Sequence, residues 1–288
     1  MTEDRRAPSD RSVFENRGAG SWAAPACELD NGIWDWLVSC DTRLLILGFD
    51  DTLARFLTPN RKRRLAPAIA RALKALTDSP ADRVVVHSAG SLEELRQSLA
   101  SVPADLFGEN GWEDSPLHSR RSVHPLPART QRRLAQAAVA AEECGWSSLL
   151  IRRRCSLLLR TRGLMAEQVA LMRELGQELW SSRFETDGLR VANTSSGVEL
   201  RATERHMPMA IGLLARRLGG ADVKAIQAEI ADRGCVEREY ADDGIGRPER
   251  LGIAAVSARA RTPRDLLHFI AEWSRQRRTR TGRVKGVR

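Results

Sequence analysis

Residues 44–53, with the sequence LLILGFDDTL, decide the fold class of this chain. The aliphatic run at 44–47 predicts a strand buried on both faces, and the polar segment after Gly48 predicts a turn at its carboxyl end. That turn carries Asp50, Asp51 and Thr52. Because ligands of parallel α/β sheets bind outside the carboxyl ends of the strands, we expect these three side chains to lie at a binding site.

The next elements indicate that this strand belongs to a parallel sheet. A helix is predicted from Pro67, and the run VVV at 84–86 predicts a second buried strand. Ser91 and Glu94 then have the spacing of a capping box at the start of another helix. Strands that alternate with helices over short connections favour a parallel sheet with right-handed crossovers. Ser88 follows the second strand and is therefore expected beside Asp50.

The middle and the end of the chain predict an insert and a return to the first pattern. The insert combines helices near 130–143 and 166–180, strands near 148–151 and 156–159, and a hairpin formed by 189–191 and 197–200. Afterwards we expect a helix from Pro208, a second helix carrying Val223, Ile226 and Ile230, a strand over 251–256 and a final helix from Pro263. The predicted units are a disordered segment 1–30, a core of 31–115 and 203–274, a cap domain 116–202 and a disordered basic tail 275–288.

Composition indicates a globular cytoplasmic protein without membrane contact. The chain has 288 residues, of which 42% are hydrophobic, and no apolar run approaches the roughly 20 residues that span a bilayer. The first residues do not form a secretory signal. The five cysteines are scattered without a metal-binding spacing, which predicts reduced thiols and no zinc site.

The formal charge of +9 is concentrated at the end of the chain. Seven basic residues and no acid follow residue 274, and they are Arg275, Arg277, Arg278, Arg280, Arg283, Lys285 and Arg288. Such a segment is able to contact nucleic acid or another polyanion through phosphates. A charged end without aromatic residues is more often a solvated disordered segment, so nucleic-acid binding is expected only through this tail.

The stretch at 48–53 resembles the first motif of the haloacid dehalogenase (HAD) superfamily, and the order of motifs over residues 40–275 resembles the trehalose-6-phosphate phosphatase family. That family begins with Asp-x-Asp-Gly-Thr-Leu. The resemblance implies that Asp50 is the acid–base residue and that Thr52 is retained. It also implies a HAD-like Rossmannoid core with a parallel sheet plus a smaller α/β cap domain. The family's nucleophile, which also ligates Mg²⁺, is replaced by Gly48, and its small glycine is replaced by Asp51.

The later motifs are retained in part. The resemblance implies that Ser88 binds phosphate, that the family's arginine in this motif is replaced by Gly90, and that the segment GENGWE at 108–113 leads into the cap. It implies substrate contacts for Glu109, Arg162 and Glu199. The family's phosphate-binding lysine has no counterpart, unless Arg205 or His206 substitutes for it. Asp242 and Asp243 correspond to the metal-binding motif.

Gly48 decides the functional expectation. A carboxylate nucleophile divides phosphoryl transfer into two easier steps, and loss of a covalent nucleophile in another enzyme costs on the order of 10⁶ in rate. The resemblance therefore implies an inactive or severely impaired relative that binds a sugar phosphate or regulates a trehalose-pathway enzyme. The alternative is an active phosphatase on trehalose 6-phosphate, or a related sugar phosphate, in which Asp51 or a water activated by Asp50 attacks. Mg²⁺ is expected if the protein is active, and the inactive protein needs no cofactor.

Overall fold

The computed structural model describes residues 31–58, 64–100, 102–185, 188–219, 223–230 and 254–284. The strands of these residues form two sheets. A seven-stranded sheet forms the core, and a four-stranded sheet forms a second layer that is inserted between core strands. None of the described helices is long and apolar enough to cross a membrane.

The core sheet has five parallel strands and two short antiparallel ones, with β1 between β10 and β2. The parallel strands are β1 (Thr42–Gly48), β2 (Asp82–His87), β3 (Asp105–Gly108), β10 (Val223–Ile230) and β11 (Ala254–Ala260). The antiparallel strands are β4 (Glu113–Ser115) and β5 (Ser122–Val123). The helices around this sheet are α1 (Asn31–Val38), α2 (Pro67–Thr77), α3 (Leu92–Leu99), α6 (Met207–Arg217) and α7 (Pro263–Val284).

Burial on both faces explains the apolar run of β1. Leu45 and Leu47 pack in the cluster that contains residues of α2, α3 and α7, whereas Leu44 and Ile46 pack in the cluster that contains α6. All four side chains are almost fully buried. The capping box at the start of α3 is confirmed, because Ser91 accepts from the Glu94 amide and Glu94 accepts from the Ser91 amide. The predicted parallel α/β core is therefore confirmed.

The second sheet is antiparallel, with the order β6-β7-β9-β8. Its strands are β6 (Leu150–Arg152), β7 (Ser156–Arg160), β8 (Leu189–Thr194) and β9 (Gly197–Ala202), and its helices are α4 (Ala128–Glu143) and α5 (Ala166–Arg183). One face of the sheet packs on both helices through Leu157, Leu159, Val198 and Leu200. Gly176 allows α5 to approach closely, because a Cβ there would lie 2.9 Å from Leu159 Cδ1. We call this unit the cap.

Three predicted features differ from the structure. The helix predicted at Val223, Ile226 and Ile230 is wrong, because 223–230 is strand β10. This strand is buried on both faces between β1 and β11, so its apolar residues do not alternate and also fit a helical spacing. Strand β5 falls within the range predicted for the cap but pairs with the core sheet. The tail predicted to be disordered from residue 275 is helical to Val284, since neither Pro nor Gly interrupts α7 before residue 282.

Candidate functional site

The candidate site begins where the carboxyl ends of β1 and β2 lie side by side. Gly48 is opposite His87 in the parallel register, and the Phe49 amide donates to the His87 carbonyl at 2.8 Å. The Asp50 carboxylate then accepts from the Ser88 hydroxyl at 2.8 Å and from the Ala89 amide at 2.9 Å. The structure thus brings together Asp50 and Ser88, as the strand ends predicted.

Ser88 organises the loop between β2 and α3. Its hydroxyl oxygen accepts from the Gly90 amide at 2.9 Å while its proton goes to Asp50. Ser88 is buried, whereas Asp50 is exposed at the edge of the sheet. The Ser88 hydroxyl and the Ala89 amide therefore donate to a solvent-accessible carboxylate, that of Asp50. An anionic ligand at this edge would accept hydrogen bonds from the same two donors.

Gly48 leaves a space beside the imidazole of His87. A Cβ built at residue 48 would lie 3.6 Å from Cε1 and 3.7 Å from Nε2 of His87, which is ordinary van der Waals contact. Burial lowers the pKa of His87, and the negative charge of Asp50 opposes this effect. The His87 imidazole thus borders the residue that the resemblance aligns with the family's nucleophile. The backbone has room for a Cβ at residue 48, so packing does not require a glycine there.

Asp51 and Thr52 make different contacts from Asp50. The Asp51 carboxylate accepts a hydrogen bond from the hydroxyl of Ser195, in the turn between β8 and β9 of the cap. Thr52 is buried, and its Oγ1 accepts from the Ile230 amide at 3.4 Å. Asp51 therefore joins the core to the cap, and the hydroxyl of Thr52 holds the end of β10 against the turn after β1.

Glu109, predicted to contact the substrate, lies at the junction of core and cap. Its Oε2 accepts from the Cys155 amide at 3.1 Å, across from the core into the cap. Its φ of 49° lies in the left-handed region, which a non-glycine residue seldom adopts. Burial raises the pKa of Glu109, and the hydrogen bond from Cys155 partly offsets that effect.

Glu199, also predicted to contact the substrate, is buried on β9. Its Oε1 accepts from Ser156 Oγ at 2.7 Å, from Asn110 Nδ2 at 3.3 Å and from Arg153 Nη1 at 3.3 Å. Two of these donors are in the cap and Asn110 is in the core. Glu199 therefore bonds to both units, and these contacts hold its carboxylate in place.

The cations proposed from the sequence lie in different surroundings. Arg162 is exposed after β7 and makes no hydrogen bond or ion pair with the residues that the structure describes. Arg205 donates from Nε to the Gly111 carbonyl at 2.5 Å and from Nη2 to Asp114 at 3.3 Å. His206 caps α6, where its Nδ1 accepts from the Met209 amide at 3.3 Å. The contacts of Arg205 and His206 are thus with the segment 111–114 and with α6.

The predicted metal ligands Asp242 and Asp243 lie outside the described residues. Among the described residues, no three His, Cys, Asp or Glu side chains are grouped as a metal site would require. At the end of β1, Gly48 offers no carboxylate, and Asp50 accepts from Ser88 and Ala89. Hard cations such as Mg²⁺ bind several oxygen ligands. The described part of the site does not by itself fit Mg²⁺.

The sequence predicted neither the contact of Ser195 with Asp51 nor those of Asn110 and Arg153 with Glu199. Asn110 lies in the segment 108–113, which resembles a motif of the family. That resemblance did not predict its hydrogen bond to Glu199. Ser195 is 144 residues from Asp51, in an ordinary hairpin turn. No local pattern indicates such a contact, because it arises only when the cap is placed over the core.

Comparisons with known proteins establish the fold. Neither a protein-family model nor a curated protein matches the chain. The C-terminal domain of Candida albicans trehalose-6-phosphate phosphatase is similar in structure, with a TM-score of 0.67 and 12% identity over 84% of this chain and 95% of that one. The C-terminal domain of the C. albicans trehalose synthase regulatory protein has a TM-score of 0.60 and 12% identity, over 83% and 97% of the two chains.

A third structure agrees with these two. Aspergillus fumigatus trehalose-6-phosphate phosphatase has a TM-score of 0.56 and 16% identity, over 86% of this chain and 98% of its own. Each of these chains is covered almost completely, so the likeness includes both sheets. The chain therefore has the HAD-like fold of the trehalose-6-phosphate phosphatases.

Proposed function

We propose that this protein binds a sugar phosphate in the cleft between core and cap and hydrolyses it very slowly or not at all. The observation that carries the proposal is Gly48, at the end of β1 and opposite His87. A glycine cannot form the covalent intermediate or ligate a cation through a carboxylate. The surrounding geometry supports ligand binding, since a phosphate that displaced the Asp50 carboxylate would accept from the Ser88 hydroxyl and the Ala89 amide at this edge.

Hydrolysis by Asp51 is less well supported. A nucleophilic carboxylate needs a free oxygen aligned with the phosphorus, about 3–3.5 Å away. The Asp51 carboxylate accepts a hydrogen bond from Ser195 of the cap, and this hydrogen bond weakens the carboxylate as a nucleophile. Asp50 accepts from Ser88 and Ala89 through one carboxylate oxygen, so only its other oxygen is placed to accept from an attacking water.

A regulatory role follows as the second part of the proposal. A protein that binds a pathway intermediate without consuming it is able to change its binding to a partner as the concentration of that intermediate changes. The likeness to a domain of a trehalose synthase regulatory protein supports a trehalose-pathway enzyme as this partner. The test is the rate of trehalose 6-phosphate synthesis by that enzyme with and without this protein. An unchanged rate at saturating protein would contradict the regulatory role.

Phosphate release from trehalose 6-phosphate in the presence of Mg²⁺ tests the catalytic part. We expect no turnover by the natural chain or by Gly48→Asn, which adds a side chain of similar size without a carboxylate. Gly48→Asp is the matched variant, and turnover in it alone would show that a nucleophile is what the site lacks. Turnover by the natural chain that disappears in Asp51→Asn would overturn the proposal in favour of the active phosphatase.

Calorimetry with trehalose 6-phosphate tests the binding part separately. We expect binding by the natural chain and weaker binding by Ser88→Ala, because this change removes a hydroxyl donor from the phosphate position. Absence of binding by the natural chain would contradict the proposed function, whatever the phosphatase assay shows.

A further inference from the structure

Helix α7 consists of two parts with different compositions. Its first part packs in the core, where Phe269, Ile270 and Trp273 are almost fully buried. Between Trp273 and Val284 the sequence is SRQRRTRTGR, which contains five arginines, no acidic residue and no apolar residue. We call residues 275–284 the basic extension. It contributes no apolar side chain to the core before Val284, so the hydrophobic effect that holds the first part of the helix does not explain the second part.

The basic extension begins directly after a firmly anchored turn of the helix. The ring of Trp273 lies edge-on to Phe269 and to Trp34, with ring centroids 6.0 and 6.3 Å apart. Its Nε1 donates to the Asp82 carboxylate at 3.1 Å, and Ser274 is also buried. The start of the extension is therefore fixed to the core, and its helical backbone places successive residues about 1.5 Å apart along one axis.

The basic extension leaves the core at the edge of the sheet opposite to the cleft. Helix α7 begins after the carboxyl end of β11 and reaches Asp82, the first residue of β2, at Trp273. Asp50 and Ser88 lie instead where the strands end. Strand β2 has six residues and is therefore about 20 Å long. The basic extension is thus separate from the site of the proposed function.

Positive charge continues along the whole basic extension. The extension and the four residues after it contain seven basic residues, in a chain whose formal net charge is +9. Arg275 is ion-paired with Glu272, one turn earlier in α7. Beyond it, Arg277, Arg280 and Arg283 follow at intervals of three residues. Residues three apart are neighbours on the surface of a helix, so these arginines form a row along its axis.

The composition of the basic extension distinguishes between anionic partners. A helix that lies on a membrane needs an apolar face, which is missing between Trp273 and Val284. Binding of a single strand relies on aromatic side chains that stack on the bases, and this part of α7 has none. Arginine suits phosphate recognition, and an α-helix fits the major groove of a duplex. A double-stranded nucleic acid is therefore the partner that the extension fits best.

We propose that the basic extension of α7 binds double-stranded nucleic acid through its backbone phosphates. The residues assigned to these contacts are Arg277, Arg278, Arg280 and Arg283. Contacts with phosphates carry no sequence information, so affinity should depend little on the base sequence. Each neutralised phosphate releases counterions, and four contacts correspond to a slope between about −3 and −4 for the logarithm of the binding constant against the logarithm of the salt concentration.

Fluorescence anisotropy with a short labelled DNA duplex, at salt concentrations between about 50 and 200 mM, tests this inference. The test variant combines Arg277→Gln, Arg278→Gln, Arg280→Gln and Arg283→Gln. Glutamine has nearly the helix propensity of arginine, so we expect the helix to remain and the melting temperature to stay within a few degrees. Affinity at the lowest salt concentration should fall at least about tenfold, and the salt slope should become much shallower.

A control variant of equal charge shows whether the position of the arginines matters. It removes the same number of positive charges at four exposed arginines outside the extension, through Arg71→Gln, Arg129→Gln, Arg132→Gln and Arg183→Gln. We expect the control to bind the duplex within about twofold of the natural chain. Equal weakening of the control and the test variant would assign the binding to net charge and overturn the inference.

Three further outcomes would also overturn it. These are the absence of duplex binding by the natural chain at low salt, equal affinity of the natural chain and the test variant, and tighter binding to phosphatidylserine vesicles than to the duplex. Replacing the same four arginines with lysine keeps the charge and should preserve the salt-dependent binding, which separates loss of charge from loss of the helix. None of these results depends on whether the cleft binds a sugar phosphate.

Discussion

The Ser88 hydroxyl donates to the Asp50 carboxylate over 2.8 Å, although the two residues are 38 positions apart in the chain. The Ala89 amide donates to the same carboxylate oxygen at 2.9 Å. A carboxylate of the protein thus occupies the Ser88 hydroxyl, which the resemblance assigns to phosphate, together with the neighbouring Ala89 amide. Binding of an anion at this edge requires Asp50 to give up these hydrogen bonds, which makes their strength a determinant of affinity.

We predict that Asp50→Ala increases affinity for inorganic phosphate by about tenfold, because it frees two donors and removes a negative charge. Calorimetry at constant ionic strength measures the change. Asp51→Asn is the control, since its carboxylate contacts Ser195 and not Ser88. Equal phosphate affinity in Asp50→Ala and the natural chain would show that the Asp50–Ser88 hydrogen bond does not compete with anions.

Gly48→Asp should fold as well as the natural chain. The Cβ of the new residue meets His87 at ordinary contact distances, and the backbone at residue 48 is not in the left-handed region. We expect a melting temperature within a few degrees of the natural one and a higher pKa for His87, because a carboxylate placed beside an imidazole favours its charged form. Thermal unfolding and an NMR titration of His87 measure these quantities. A large loss of stability would mean that His87 cannot accommodate the side chain.

The half-buried imidazole of His87 should make stability depend on pH. Its pKa in the folded protein is lowered from 6.5, so the unfolded chain binds the proton more readily. Stability is therefore full above about pH 6.5 and falls as the pH decreases towards the folded pKa, by at most about 1.4 kcal/mol per pH unit. Denaturant unfolding from pH 7.5 to 5 measures this slope. The slope should be smaller in His87→Gln, and identical slopes would contradict the assignment.

Glu109 should show the opposite dependence. Burial raises its pKa, so the folded protein holds the proton more tightly and this contribution to stability is lost as the pH rises above about 4.3. Glu109→Gln keeps an oxygen that can accept from the Cys155 amide and removes the buried charge. We expect this variant to be more stable at pH 7, by on the order of 1 kcal/mol, with a smaller gain at pH 4. Glu109→Ala leaves the Cys155 amide unpaired and should be destabilised, which separates the charge from the hydrogen bond.

Local sequence patterns predicted much of the core. The aliphatic run of β1, the second buried strand and the capping box of α3 all depend on interactions between near neighbours, so their signals lie within short windows. The pattern at 223–230 misled because a strand buried on both faces lacks the alternation that identifies a half-buried one. The order of strands placed Asp50 beside Ser88, since neighbouring parallel strands end at the same edge.

No local sequence pattern predicted the contacts between the cap and the core. Asp51 meets Ser195, and Glu199 meets Asn110, only because the cap lies over the core. These features concern the function most directly, and all of them join distant parts of the chain.

The sequence by itself determined that the aliphatic run at 44–47 is followed by Gly48 and not by a carboxylate, because the identity of a residue needs no fold to be known. It also determined that Asp50, Asp51 and Thr52 follow that run. Only the tertiary structure decided that Asp50 binds Ser88, that Asp51 binds the cap and that His87 borders the empty position. The physical reason is that hydrogen bonds and burial depend on which groups come within a few ångströms, and this is set by packing across the whole chain.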